Sequence, residues 1–150
     1  MKFYDTSFLK DEAITLRCDG VYRRDLFFDL PQSYEFTIVD NETGEEAGRC
    51  ELRLGSGRKI YFAGNIGYRV HHDFRGRGYA ARACRLMFRL AAMHNMKSLL
   101  ITCNPDNAPS EKTILNVGGV LIDQAPVPEE FREYLMGDSF KKIFEVKLFP

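Results

Sequence analysis

The sequence has no tryptophan, no net charge and no long apolar run. Its 21 basic and 21 acidic side chains cancel, whereas proteins that bind nucleic acid over a broad surface are usually basic overall. No stretch approaches the ~20 apolar residues that cross a bilayer, and the first residues lack the apolar core of a signal peptide. We therefore expect a cytoplasmic protein that binds neither nucleic acid nor a membrane.

Cysteine pairs with metal-binding spacing are also absent. Cys18, Cys50, Cys84 and Cys103 form no C-x-x-C or C-x-x-H pair, so neither a zinc site nor another bound metal is expected. Without an export signal, the four thiols should stay reduced. Cys84 falls in a helical apolar pattern, which indicates a small core residue.

What the sequence does contain is the composition of an ordinary folded domain. Its 150 residues, 45% hydrophobic and 28% charged, fit one domain spanning residues 1–150. The zero net charge hides an uneven distribution, because residues 69–97 hold seven basic residues and one acidic residue, a net +6, between two segments of −3 each. A local cationic region favours a compact anionic ligand over a long polyanion.

Alternating segments in the first half predict strands. Residues 34–39 and 47–54 alternate and should pair as a hairpin, and residues 14–18 could add a short strand. Residues 22–30 read as a helix or a loop. Residues 59–70 read as one long strand, in which Gly64 and Gly67 indicate a bulge or a close backbone approach.

The second half has helical periodicity. Residues 79–94 carry apolar side chains three and four positions apart, which predicts an amphipathic helix. Residues 98–103 read as a buried strand, 110–117 as a helix stopped by Gly118-Gly119, and 120–123 and 139–149 as closing strands. The predicted class is α+β with an embedded strand–helix–strand crossover.

A glycine-containing loop, Arg75-Gly76-Arg77-Gly78-Tyr79-Ala80, stands where this helix begins. Glycines let the backbone turn tightly, and the first amides of a helix have no intrahelical partner. Such a junction is an anion site, usually for phosphate, and Arg75, Arg77 and Arg82 would add attraction. The alternative is a plain turn beside a solvated basic helix face.

Three kinds of phosphate-binding loop compete. A Walker-type loop needs Gly-Lys-Ser/Thr, but Tyr79 follows Gly78. Residues 76–81 match the dinucleotide-binding pattern G-x-G-x-x-A, which would predict NAD binding. However, polar residues 71–73 separate the strand from the first glycine, and residues 95–99 offer no acid for the ribose. The third kind is an acyl-coenzyme A site.

The loop matches the Q/R-x-x-G-x-G/A motif of the GCN5-related N-acetyltransferase (GNAT) superfamily. Residues 64–70 resemble the fourth strand of that family and residues 98–103 its fifth. Asn107-Ala108-Pro109-Ser110 and the later Gly118-Gly119 resemble the segment that follows. The resemblance covers about 60 residues, 60–122, in order and spacing.

The resemblance implies a three-layer α/β/α fold with a mixed, mostly antiparallel central sheet whose fourth and fifth strands splay apart. The pantetheine arm of acetyl-CoA would fill the gap, and its pyrophosphate would lie on the amides from Arg77 to Ala80. Asn107 would bond the arm and Ser110 would lie near the phosphates, although the residues alone indicate a turn residue and a helix N-cap. The implied CoA-binding residues are Tyr68, Arg69, Val70, Arg75, Gly76, Arg77, Gly78, Tyr79, Ala80, Asn107 and Ser110.

The catalytic residues common in the family are missing. Its usual tyrosine, seven residues after the asparagine, is Ile114 here, and its strand-four acid is replaced by residues 63–65, Ala-Gly-Asn. The substitutes considered are Tyr68, Cys103, Asn104, Tyr134 and, as a base through water, Glu51. Each also has a plain structural reading as a packed aromatic, a buried small residue or a solvated strand residue. Catalysis by positioning and backbone polarisation, with solvent as the acid, is a further alternative.

The resemblance implies direct transfer of an acetyl group from acetyl-CoA to a primary amine in a ternary complex. The missing residues support a second hypothesis, a non-catalytic module that binds or senses acyl-CoA. A small-molecule or peptide acceptor is expected among residues 1–30, 49–58 and 124–138. Glu129, Glu130 and Glu133 there would attract a cationic amine or form a solvated helix face. A homodimer remains open.

Overall fold

A computed structural model describes residues 2–148 of the chain. Its strands are β1 (Ile14–Tyr22), β2 (Ser33–Asp40), β3 (Glu46–Arg53), β4 (Ile66–Val70), β5 (Ser98–Cys103), β6 (Val120–Pro126) and β7 (Phe140–Lys147). Its helices are α1 (Arg58–Ala63), α2 (Tyr79–Met93) and α3 (Ala108–Asn116), with two short 3₁₀ helices at His72–Phe74 and Glu129–Phe131.

The strands form two antiparallel groups, and the gap between them is the main feature of the fold. One group has the order β1-β2-β3-β4 and the other β5-β7-β6. The α2 crossover joins β4 to β5, and the two strands share no ladder between residues 66–70 and 98–103. The predicted α+β class, crossover and splayed strands are confirmed.

The main core lies between the sheet and α2. Alternation along β2 places Tyr34, Phe36 and Ile38 on one face, each at most 1% exposed. Spacings of three and four on α2 place Met87 and Leu90 against them, both fully buried. Burial of each such side chain contributes about 1.5–3 kcal/mol, so this face fixes the direction in which α2 leaves the loop.

A second, smaller core supports α1. Phe62 of α1 packs with Val127, Phe131, Leu135 and Ile143. Because these residues lie on α1, on the segment after β6 and on β7, that segment and α1 cover β5 and β7. The segment 124–138 is therefore not one solvated helix face, since Phe131 and Leu135 are each only 9% exposed.

The prediction of one long strand over residues 59–70 is wrong. The first part is α1, whose Ile60 and Phe62 are buried, so packing overrides the strand-like composition. The register of β4 with β3 runs without a shift, so the predicted bulge is absent from β4. Gly64 instead makes the close approach, because a Cβ there would lie 3.1 Å from the Leu100 carbonyl oxygen.

The other boundaries differ by a few residues. Residues 23–32 form a loop rather than a helix. The second helix begins at Ala108, and Asn107 is its N-cap, accepting a hydrogen bond from the Ser110 amide at 3.1 Å. The N-cap interpretation of Ser110 is therefore wrong. The last strand ends at Lys147, and residue 149 of its predicted range lies outside the described residues. Among residues 2–148, no helix has the length and apolar character that a membrane span needs.

Candidate functional site

The loop before α2 has the backbone geometry of an anion site. Gly76 has φ 79° and Gly78 has φ 75°, both in the left-handed region that glycine adopts without strain. Gly78 is the N-cap of α2, no side chain caps the helix, and its first turn holds no acidic residue. The positive end of the helix dipole is therefore open.

The backbone amides of this loop are free to bind a ligand. The Arg75 amide donates to the His72 carbonyl oxygen, and the Arg82 amide donates to that of Gly78. The backbone amides of residues 76–81, which lie between these two, have no hydrogen-bond acceptor in the described part of the chain. A short arc of unpaired amides at a helix N-terminus can hold an oxyanion.

Tyr79 fixes this loop through its side chain. Its hydroxyl donates to the carboxylate of Asp40, at the end of β2, and its ring stacks on Phe74 with centroids 6.2 Å apart. The hydrogen bond from Tyr79 holds the pKa of Asp40 below its ordinary value. The sequence predicted only that the backbone amide of Tyr79 would contact the pyrophosphate. No sequence pattern indicates that its phenol anchors the loop.

Tyr79→Phe should lower the melting temperature by about 3 °C, because Asp40 loses a hydrogen bond to its charged form. The folded pKa of Asp40 lies below the unfolded value near 3.8, so this contribution is present above that pH and disappears as pH falls through the folded pKa. Thermal scans from neutral to acidic pH measure it. Tyr22→Phe, at a half-exposed phenol, is the control and should change nothing. A Tyr79→Phe deficit that persists in acid would contradict this account.

The cationic residues around the loop are only partly free. The Arg75 Nε donates to the Val70 carbonyl oxygen at 3.1 Å, and Arg77 lies over the Phe74 ring at 5.0 Å. Arg82 is paired with Asp11 and Glu12, each at 3.0 Å, so its charge is partly compensated, and its attraction for the anion stays a prediction. A cleft of about 450 Å³ lies beside Gly78 and is lined in part by Arg85 and Arg89. Neither arginine forms an ion pair among residues 2–148.

The free edge of β4 faces the gap between the two strand groups. The Arg53 amide bonds the Asn65 carbonyl oxygen, and the His71 amide bonds that of Ala47. Because antiparallel ladder bonds alternate, Arg69 points its backbone at β3, while Tyr68 and Val70 point theirs into the gap. On the gap side the free backbone groups are those of Tyr68 and the amide of Val70, because the Val70 carbonyl oxygen accepts from Arg75 Nε.

Asn65 closes this gap at one end. Its amide donates to the Leu100 carbonyl oxygen at 2.7 Å, and its Oδ1 accepts from the Leu100 amide at 2.9 Å. Its Nδ2 donates to the carbonyl oxygens of Arg53 and Gly55, and the residue is 3% exposed. In the sequence, Asn65 stands in the segment where the family usually has an acidic residue. In the structure, it joins β4 to β5.

Tyr68, Cys103 and Ser110 meet on the α2 side of the gap. The Tyr68 hydroxyl lies 2.8 Å from Ser110 Oγ, and burial raises the pKa of Tyr68 to about 12. Burial also raises the pKa of the Cys103 thiol, which is 4% exposed. Ile114, one helical turn beyond Ser110, is fully buried. A phenol from β4 thus lies beside α3, the helix on which the family usually carries its tyrosine.

Glu51 and Tyr134 lie on the opposite side of β4. Glu51 accepts a hydrogen bond from Arg53, which also donates to the carbonyl oxygens of Ala63 and Gly64 at 3.2 and 2.9 Å. Tyr134 has its pKa raised by burial, and Lys59 Nζ lies 4.4 Å from its ring centre. Arg53 was not predicted, and no motif marks it.

Asn104 follows β5 at the open end of the gap. Its Nδ2 donates to Asp138 Oδ1 at 3.1 Å, while its buried Oδ1 has no hydrogen-bond partner within residues 2–148. Asn107 and the paired Glu111 and Lys142 lie farther along, on α3 and β7. The predicted catalytic candidates therefore separate into three places around one gap rather than one cluster.

A second cleft lies near the closed end of the gap. It has a volume of about 1020 Å³ and is lined by the loop 23–32, the turn before α1 and residues 130–131. These are the three segments in which the acceptor was expected. No group of three or more metal-ligating side chains occurs among the described residues.

Comparison with known proteins identifies the sequence family. A family model described as an acetyltransferase (GNAT) domain matches residues 10–120. No curated protein sequence matches the chain significantly.

Solved structures with similar folds carry related names. The ribosomal-protein-S5-alanine acetyltransferase from Vibrio fischeri is 18% identical, with a TM-score of 0.60 over 77% of this chain and 61% of that one. The microcin C7 self-immunity acetyltransferase MccE, in complex with acetyl-CoA and AMP, is 22% identical, with a TM-score of 0.60 over 77% and 61%. RimL, a ribosomal L7/L12 α-N-protein acetyltransferase, is 19% identical, with a TM-score of 0.59 over 77% and 60%. The chain spans about three fifths of each of these proteins.

Proposed function

The chain belongs to the GNAT acetyltransferase family, and from this membership we propose that it transfers an acetyl group from acetyl-CoA to a primary amine. The observation that carries the proposal is a continuous path along β4. It starts at the free amides of residues 76–81, follows the open edge at Tyr68 and Val70 and ends at Asn65. The five residues of β4, roughly 17 Å long, would separate a diphosphate at one end from a thioester at the other.

Residues at each part of this path fit a part of acetyl-CoA. The amides from Arg77 to Ala80, after Gly76, would hold the diphosphate. The 450 Å³ cleft with Arg85 and Arg89 would take the remaining phosphate. The backbone of Tyr68 and the amide of Val70 would bond the pantetheine arm, as an added strand does.

Tyr68 is the proposed proton donor. Acetyl-CoA supplies the acetyl group as a reactive thioester. The amine nitrogen forms a bond to the acetyl carbon, the carbon–sulfur bond breaks, and the sulfur takes up a proton from the Tyr68 hydroxyl. Ser110 Oγ, 2.8 Å from the phenol, relays a proton from solvent to the phenolate and so keeps its own hydroxyl proton. Glu51 would accept the proton of the amine through water, since its carboxylate lies across from Gly67, which has no side chain to block it.

Isothermal titration with acetyl-CoA and CoA tests the binding half of this proposal. We expect saturable 1:1 binding, weakened for dephospho-CoA by the loss of contacts to Arg85 and Arg89. Release of free thiol with a panel of amines tests the transfer half. Folded protein that binds neither ligand at about 100 μM, an affinity of about 5.5 kcal/mol, would refute the proposal.

Tyr68→Phe should lower kcat about 100-fold, the low end for general acid catalysis, and leave the dissociation constant of acetyl-CoA unchanged. Steady-state kinetics and titration measure the two effects. Because the Tyr68 pKa is about 12, the wild-type rate should show no falling limb between pH ~6 and ~10, two units below that pKa.

The matched control is Tyr61→Phe, which removes another phenol that bonds a side chain, Asp123, away from the gap. It should retain wild-type kcat. Equal rates for Tyr68→Phe and wild type would contradict the role of Tyr68 as proton donor and indicate that solvent supplies the proton. Binding of acetyl-CoA without turnover of any amine would favour the alternative function, a module that binds acyl-CoA without catalysis.

A further inference from the structure

The 1020 Å³ cleft is cationic, although its acidic segment was expected to attract a cation. Its charged lining residues are four basic ones and two acidic ones: Arg23, Arg24, Arg58, Lys59, Asp29 and Glu130. Glu129 and Glu133 are exposed and do not line it.

Both acidic side chains of the lining are already paired. Arg58 binds Glu130 at 2.8 Å, and Lys59 Nζ lies 3.7 Å from the Asp29 carboxylate. Arg23 and Arg24 have no carboxylate within ion-pair distance among residues 2–148. The cleft therefore has two uncompensated guanidinium groups, which favour planar oxyanions such as carboxylates.

Gln32 is a buried polar residue in the lining of the cleft. It lines the cleft and is 7% exposed, and its Nε2 has no hydrogen-bond partner in the described part of the chain. Its carbonyl oxygen accepts the Leu54 amide at 2.8 Å, so its backbone is fixed. A buried amide group without an acceptor is destabilising, but this nitrogen has no accessible surface, so a ligand would reach it only after the side chain turned toward the cleft.

The cleft lies at the end of the gap where transfer is proposed. Leu54 lines it, and the preceding Arg53 bonds the Asn65 carbonyl oxygen at 2.6 Å. Lys59 extends from the lining to the ring of Tyr134. The phosphate loop lies beyond the other end of β4, whose five residues span roughly 17 Å. A molecule in the cleft would thus lie at the thioester end of β4 without overlapping the phosphates.

We infer that this cleft binds an acidic peptide whose free N-terminal amine is the acetyl acceptor. Arg23 and Arg24 bind its carboxylates. A volume at the upper end of small-molecule pockets accommodates several residues. The inference rests on the proposed acetyl transfer for the identity of the reacting amine, and on the cleft alone for binding.

Three synthetic pentapeptides with free N-terminal alanine test this inference. They differ only in the three residues after the alanine. These are acidic residues in the first peptide, the corresponding neutral amides in the second and lysines in the third. Binding to CoA-saturated protein is followed by fluorescence anisotropy, and acetylation by mass spectrometry. We expect the acidic peptide to bind about tenfold more tightly than its amide counterpart, with a preference that weakens as salt rises.

The double variant Arg23→Gln/Arg24→Gln should abolish this tenfold preference. Lys10→Gln/Lys147→Gln removes two exposed charges outside the cleft and should preserve it. Equal binding of acidic and neutral peptides to wild type would overturn the inference while leaving acetyl transfer to the neutral peptide intact. Selective acidic binding without acetylation of the peptide would uphold binding at the cleft and overturn its N-terminal amine as the acceptor, whereas the proposed function fails only if no amine of the panel is turned over.

Discussion

Gly78→Asp should weaken the binding of CoA by more than 100-fold. The new carboxylate would stand at the N-cap of α2, among the free amides of residues 76–81. There it would both compete for those amides and repel the diphosphate, and a like-charge contact of this kind costs several kcal/mol. An aspartate N-cap also stabilises a helix, so the variant should fold. Titration with CoA, with circular dichroism to check folding, measures the effect.

Gly78→Asn is the matched control, because asparagine has the same shape without the charge and tolerates the left-handed backbone at φ 75°. A Cβ at Gly78 meets no atom within 4 Å, so the neutral variant should bind CoA within about fivefold of wild type, about 1 kcal/mol. If both variants lost affinity equally, the cause would be backbone shape. If Gly78→Asp bound normally, the diphosphate would lie elsewhere.

The loop could be predicted from the sequence because its signals are local. Two glycines, a polar turn before them and an apolar period of three to four after them determine a strand–loop–helix junction within about 25 residues. The same local signals predicted β2, β3 and β5 to within one residue. The anion site follows from backbone geometry at Gly76 and Gly78, which needs no distant partner.

The region before β4 could not be predicted, because long-range contacts determine it. Residues 59–63 have the composition of a strand, yet Phe62 packs on Val127, Phe131 and Ile143, which lie 65 or more positions away. Local propensity is a weak prior against such packing. Arg53, Gln32 and the pairing of Arg82 with Asp11 are likewise products of the fold. These are the residues that shape the ends of the gap, so the substrate-facing surfaces were the least predictable part.

Asn65→Ala should lower the free energy of unfolding by about 3–5 kcal/mol, because it leaves the Leu100 amide and two carbonyl oxygens without partners in a buried position. That is a large share of the 5–15 kcal/mol typical of a domain. Urea denaturation measures the loss. Hydrogen exchange at the Leu100 amide should rise more than at Ile101, whose backbone alternates toward β7.

Asn41→Ala is the control for this change. Asn41 also makes side-chain hydrogen bonds, to Thr15 and to the Asp11 carbonyl oxygen, but it is exposed, so water can replace them and the loss should stay below about 1 kcal/mol. Equal losses for the two variants would mean that Asn65 does not hold β4 and β5 together. A selective loss at Asn65, with weaker acetyl-CoA binding under conditions where the variant remains folded, would show that one buried amide both joins the two strand groups and sets where the gap begins.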